Sequence, residues 1–265
     1  MRTGTRSVLG LVVWCLLASS ATAADREVRL SLSAPILKGV EAFPRIADPV
    51  DDAERNVNLA LDRLDRAVQK AAQDCQRTAP GRAPWERMLS VPIVAPGFLS
   101  LHFIDGVFCG GTRPSYKNAS IVYDLRSGRP VDWTMLLPPA LTGEVAPSKT
   151  SDGSEIRTLS SARLHRLYLD QYRRRADSAG ADEDDVECRE AVATLRNGQV
   201  PRMMVWFKGR EGLSIQFDLE YAAEACADEV IIPVATLRAE GASADLVRAL
   251  EAARPAQIDR PRAAP

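Results

Sequence analysis

Between Asp51 and Cys75 apolar residues recur every three or four positions: Val57, Leu61, Leu64, Val68, Ala71 or Ala72, and Cys75. That spacing is the repeat of an α-helix with one apolar stripe. The opposite side carries Arg55, Asp62, Arg63, Arg66 and Lys70, with Asp62 and Arg66 at i,i+4. Asp51, followed three residues later by Glu54, resembles a capping box with aspartate in place of serine or threonine. A helix this long is stable in water only if its stripe is covered, so the rest of the chain must provide a broad apolar surface. The stripe ends on Cys75, whose sulfur should point at whatever the helix covers.

That cysteine gains meaning from the N-terminus. Arg2 and Arg6 precede the apolar run "VLGLVVWCLLASS", and Ala21-Thr22-Ala23 supplies a small-x-small cleavage pattern. Residues 1–23 therefore read as a signal peptide, and the mature chain is expected to begin at Ala24. Cys15 lies within the apolar run, which argues against a lipid anchor. Losing Cys15 reduces the five cysteines to four: Cys75, Cys109, Cys188 and Cys226. An even set in an exported chain favours disulfides over free thiols or metal ligands. Losing Arg2 and Arg6 takes 34 basic residues to 32 against 35 acidic ones, a net charge of −3. That balance offers no basic field for nucleic acid or anionic lipid. No later segment is apolar and long enough to span a bilayer. The expectation is a periplasmic or secreted protein with no membrane span after signal cleavage.

The mature chain divides into three expected regions: a strand–helix subdomain over residues 24–95, an α+β domain over 96–253, and a disordered tail over 254–265. "EVRLSLS" alternates, with Val28, Leu30 and Leu32 on one face, and predicts a half-buried strand. After a loop over residues 77–87, further strands are predicted at "SVPIVA", "FLSLHFIDGVF", "ASIVYDL", "RMMVWFKG" and "GLSIQFDLEY". Gly106, Ser127-Gly128 and Lys208-Gly209 mark the expected hairpin turns. A second helix is predicted over residues 160–175, with Leu164, Leu167 and Tyr168 in its stripe. "EVIIPVATL" reads as a strand running into a turn, and Ser243 as the cap of a last helix with Leu246, Val247 and Leu250. Consecutive hairpins with helices between the groups give an α+β fold: a mainly antiparallel sheet, a long N-terminal helix, a second helix packed on it, and disulfide stabilisation.

Residues that could carry chemistry are few. His102 and His165 are the two histidines, and the plain reading of each is an exposed or half-buried polar side chain. No nucleophile elbow, H-E-x-x-H, C-x-x-C or phosphate loop occurs. Asp182, Glu183, Asp184 and Asp185 form an acidic run without the spaced ligands of a calcium loop, so it reads as a solvated face. Asn118-Ala119-Ser120 matches a glycosylation sequon. No cofactor and no metal site is expected. Gly110-Gly111 lacks the lysine and following helix of a phosphate loop, and suits a strand corner that needs positive φ or close backbone approach. The four mature cysteines allow three connectivities. Cys75–Cys109 with Cys188–Cys226 is favoured, because the first would pin the long helix to the strand entering the glycine corner.

The order of these pieces resembles a family of paired envelope domains of unknown function. Those domains occur in the ectodomain of a lysozyme-sensing anti-sigma factor and beside the catalytic domain of some peptidoglycan deacetylases. "FLSLHFIDGVFCGGTRPSYKNASIVYDLRSGRPVDWTMLL" runs through the family's strand, glycine pair and "D-L-x-T-G" strand, and "GLSIQFDLEYAAEACADEVIIPVATL" resembles its aromatic strand and "I-P-x-x-x-L" close. "AERNVNLALDRL" fits the first of the paired domains, and the similarity spans about residues 27–240. Arg113 stands where the family usually has histidine. The resemblance implies an exported, non-enzymatic binding module for an envelope protein such as a lysozyme, or for cell-wall glycan. The expected contact surface is Gly110, Gly111, Thr112, Arg113 and Tyr116, since arginine and tyrosine are enriched at binding hot spots. The alternative is an envelope glycan hydrolase using a carboxylate pair such as Asp105 and Asp124.

Overall fold

A computed structural model describes residues 28–78, 85–110, 114–179, 200–218 and 227–259. The fold is α+β with mainly antiparallel sheets, and its longest element is helix α1 (Asp52–Thr78). Asp51 caps its N-terminus as the sequence pattern predicts, its Oδ1 accepting from the Glu54 backbone N–H at 2.9 Å, and the Glu54 carboxylate accepts from the N–H of Val50, one residue before the cap, at 2.9 Å. Val57, Leu61, Val68, Ala72 and Cys75 are buried, so the predicted stripe is the covered face. Each fully buried Val or Leu there contributes about 1.5–3 kcal/mol relative to exposure. Asp65 is buried in the same stripe. Its carboxylate accepts from the Phe43 N–H at 3.1 Å and from Arg45 at 2.6 Å, which repays its desolvation.

The helix lies over a six-stranded antiparallel sheet. Its centre is the ladder between β5 (Phe98–Val107) and β6 (Ser115–Asp124), which pairs ten residues from Phe98–Asp124 to Val107–Ser115. On the other side of β5 run β3 (Trp85–Leu89) and β4 (Ile93–Ala95). The short β7 (Arg129–Pro130) follows the predicted turn, where Gly128 has φ 68°. Gly106 does not turn the chain as expected. β5 continues through it to Val107, because a hydrogen-bonded partner strand is present on each side. β3 itself lies partly within the predicted loop.

A second, five-stranded antiparallel sheet has the order β12 (Val230–Pro233), β11 (Gly212–Phe217), β10 (Met203–Phe207), β9 (Glu155–Ser160) and β8 (Glu144–Lys149). Helix α3 (Ala162–Ala179), which follows the one-turn α2 (Pro139–Thr142), places Tyr168 against Phe217 with ring centroids 4.1 Å apart. The segment after β12 is a helix, α4 (Val234–Ala239), where the sequence suggested only a turn. Ser243 caps α5 (Ala244–Ala252), accepting from the Leu246 N–H at 3.2 Å. Apolar residues of α1, of both sheets and of α5 form one continuous core that includes Leu61, Phe98, Phe103, Phe207 and Leu246.

The ends of the described chain meet. β1 (Leu30–Ser31) pairs with β2 (Arg45–Ile46) and, in parallel, with β14 (Ile258–Asp259), while β13 (Arg254–Pro255) pairs with β4. The predicted first strand is thus only two residues long, and Leu32 is exposed. The segment from residue 254, expected to be disordered, is ordered at least to Asp259, because β1 and β4 offer it backbone partners that a sequence window cannot see.

Candidate functional site

The Cys75–Cys109 disulfide is present, with Cα atoms 4.8 Å apart. It ties the last turns of α1 to the segment leaving β5, within a satellite cluster of Val40, Val68, Ala72 and Trp85. The next residue, Gly110, has φ 95°, a conformation that a side chain would strain. The corner predicted from the glycine pair is therefore a positive-φ turn anchored by a covalent bond. Gly111, Thr112 and Arg113 lie outside the described residues, as do Cys188, Cys226 and the acidic run at 182–185.

Tyr116, the last predicted contact residue, lies on β6 and is 52 % exposed. It is the register partner of Gly106, and a Cβ on Gly106 would come within 3.0 Å of the Tyr116 ring. The ring therefore lies across the glycine. Partners across an antiparallel ladder share a face, and that face alternates along each strand. Glu86, Gly106 and Tyr116 form one row; Met88, Ile104 and Asn118 form the next on the same side. Met88 is 54 % exposed, so this end of the sheet face is open where the other end is covered by β10. The third row holds His102 and Ser120.

His102 marks the boundary between the open and covered ends. Its ring stacks on Trp206 of β10 at 4.5 Å and 9°. Nδ1 lies 2.8 Å from the Ser90 hydroxyl, while the Ser90 backbone N–H donates to the His102 carbonyl at 2.9 Å. Burial pushes the imidazole pKa down to about 4, with Lys208 adding to the push and Glu229 and Asn118 opposing it. The ring is neutral at pH 7. Its Nε2 is buried and has no hydrogen-bond partner among the described residues. A Ser–His pair acting as nucleophile and base needs a better-matched pKa and a third group to orient the ring. Among the described residues this pair has neither, and its backbone bond is an ordinary cross-strand contact. A cavity of about 530 Å³ adjoins it, lined also by Val91, Lys208 and Arg254.

Other sequence expectations are corrected. His165 is buried, 4 % exposed and edge-on to Phe217 at 5.4 Å, because α3 turns it inward beside Tyr168. Asp105 and Asp124 do not form a carboxylate pair. They sit seven rungs apart on the β5–β6 ladder, about 23 Å at about 3.3 Å per residue. Asp105 is committed elsewhere: Arg87, its register partner on β3, holds it with bonds of 2.7 and 2.8 Å. No group of three or more metal-ligating side chains occurs among the described residues. No helix among them is long and apolar enough to cross a membrane.

No family model matches the sequence, and no curated protein matches it either. Its structural neighbours include two DUF3298 family proteins. One, from Bacteroides fragilis, is 10 % identical with a TM-score of 0.47, covering 85 % of this chain and 96 % of that one. The other, from Pseudomonas aeruginosa, is 13 % identical with a TM-score of 0.45, covering 77 % and 84 %. At this distance neither neighbour assigns residues or an activity to this chain.

Proposed function

We propose that this chain is an exported, non-enzymatic binding module of the cell envelope that docks a protein partner on the open end of the β3–β5–β6 sheet face. The observation that carries the reading is the exposure of Met88 and Tyr116, 54 % and 52 %, in adjacent rows of one sheet face beside the Cys109–Gly110 corner. Isolated exposed apolar side chains are ordinary, but two rows on a rigid sheet next to a cross-linked loop offer a preformed contact surface. Arg113, three residues after Gly110 in the sequence, adds a hot-spot residue type. A protein is favoured over glycan because the two open rows carry one aromatic ring, Tyr116, beside Glu86, Met88, Ile104 and Asn118. The disulfide supports export, since such bonds persist in oxidising compartments.

The test is capture of envelope proteins and of soluble peptidoglycan fragments on immobilised mature chain, with lysozyme as a defined probe. A protein retained by the wild type and lost with Tyr116→Ala and Met88→Asp supports the reading. Retention of glycan fragments alone, or equal retention by both variants, refutes it.

A further inference from the structure

A second, unassigned cavity of about 560 Å³ opens between α1 and the β8–β9 hairpin. The geometry points to this cavity as a binding site for a small molecule with an apolar body and one carboxylate. Its lining includes neither Met88 nor Tyr116, and it does not depend on the function proposed for the open sheet face. Leu64 and Trp133 supply apolar walls, and the volume suits a ligand of modest size. Two exposed arginines are among its lining residues, Arg63 from α1 and Arg157 from β9, and neither makes an ion pair or side-chain hydrogen bond among the described residues. Arginine in this state is equipped for two-point recognition of a carboxylate.

Tyr123 forms part of the wall and is 2 % exposed. Its hydroxyl makes no hydrogen bond among the described residues. The hydroxyl is not among the fully buried atoms that lack a partner, so water reaches it, and a ligand oxygen would take that water's place. Burial pushes this hydroxyl's pKa up to about 12, against the opposing charges of Arg63 and Arg45. The phenol is therefore a donor across the physiological range. Glu155 also lines the cavity and opposes an anion. It leaves the two arginines in excess by one charge, which fits a monoanion and disfavours a dianion.

The probes are 2-naphthoate and its neutral isostere 2-naphthamide, titrated into the full mature chain by calorimetry. Naphthoate should bind at one site at least tenfold more tightly than naphthamide. Arg63→Gln with Arg157→Gln should reduce that preference below threefold and leave naphthamide affinity unchanged. Both arginines are exposed, so far-UV circular dichroism should show an unaltered fold. Glu155→Gln should tighten naphthoate binding several-fold. Decanoate and N-acetylphenylalanine, as competitors, separate a fatty acid from a peptide carboxylate as the natural source. Absence of saturable naphthoate binding, equal affinity for the two probes, a preference that survives the double substitution, or displacement by neither competitor overturns the proposal.

Discussion

Arg87 and Asp105 face one another across β3 and β5, each with a side chain 1 % exposed, and the guanidinium holds the carboxylate with two hydrogen bonds. The same guanidinium lies over the rings of Phe43 and Phe103 at 5.1 and 4.6 Å, and Asp152 at the tip of the β8–β9 hairpin approaches it to 3.8 Å. One ion pair thus joins the N-terminal segment, the first sheet and the hairpin of the second.

Removing one partner of that pair should be severe. Arg87→Met leaves Asp105 buried without its counter-charge and should lower stability by about 3–5 kcal/mol in urea unfolding. Adding Asp105→Leu to Arg87→Met should recover part of the loss, since the one carboxylate then left beside the site, Asp152, still accepts from the Thr150 hydroxyl and the Ser154 N–H. A double variant no more stable than Arg87→Met would show that the pair's mutual neutralisation is not what matters.

The disulfide closes a loop with a sequence separation of 34 residues. Replacing Cys75 and Cys109 by serine should cost about 3–4 kcal/mol, chiefly by freeing the unfolded chain. Unfolding midpoints of the two forms, measured without reductant, check this. A loss under about 1 kcal/mol would mean that the corner is held by its neighbours alone.

His102 gives a pH dependence with a defined sign. Its folded pKa of about 4 lies below the ordinary value of 6.5, so between those limits the unfolded chain binds the extra proton. Its contribution is complete above pH 6.5 and is lost as pH falls toward 4, by at most about 3 kcal/mol. His102→Phe keeps a ring on Trp206 and removes the titration. The stability difference between wild type and His102→Phe should therefore shift against the wild type from pH 7 to pH 4.5. Parallel profiles would rule this out.

Gly106 allows the Tyr116 ring to lie flat across the ladder. Gly106→Val should push the ring aside and weaken partner binding at least tenfold, with the unfolding midpoint changed little because valine suits a strand. Unchanged affinity would separate Tyr116 from the contact surface.

Local patterns were legible where one element decides the outcome. The period of three and four residues located α1, Asp51 and Glu54 located its start, and the strand-forming run "FLSLHFIDGVF" located β5. Cys75 at the end of the stripe pointed to its bond with Cys109. What stayed hidden depends on partners distant in sequence. β8 and β9 carry Pro147, Ser148, Glu155 and Arg157, and become strands because each completes the other's ladder. Asp105 looked available for chemistry until β3 placed Arg87 opposite it. Tyr116 could be named from composition, but its neighbours Met88 and Ile104 follow only from strand register. Ser90 and His102 likewise meet through pairing across the sheet, not through any motif.

Hydroxyl-radical footprinting of the chain, free and bound to its captured protein partner, tests the proposed face most directly. Methionine and tyrosine both react readily, and Met135, 75 % exposed and away from the face, serves as the internal reference. Docking on the open sheet predicts that oxidation of Met88 and Tyr116 falls several-fold in the complex while Met135 reacts equally in both states. Unchanged oxidation of Met88 and Tyr116 in a saturated complex would contradict it.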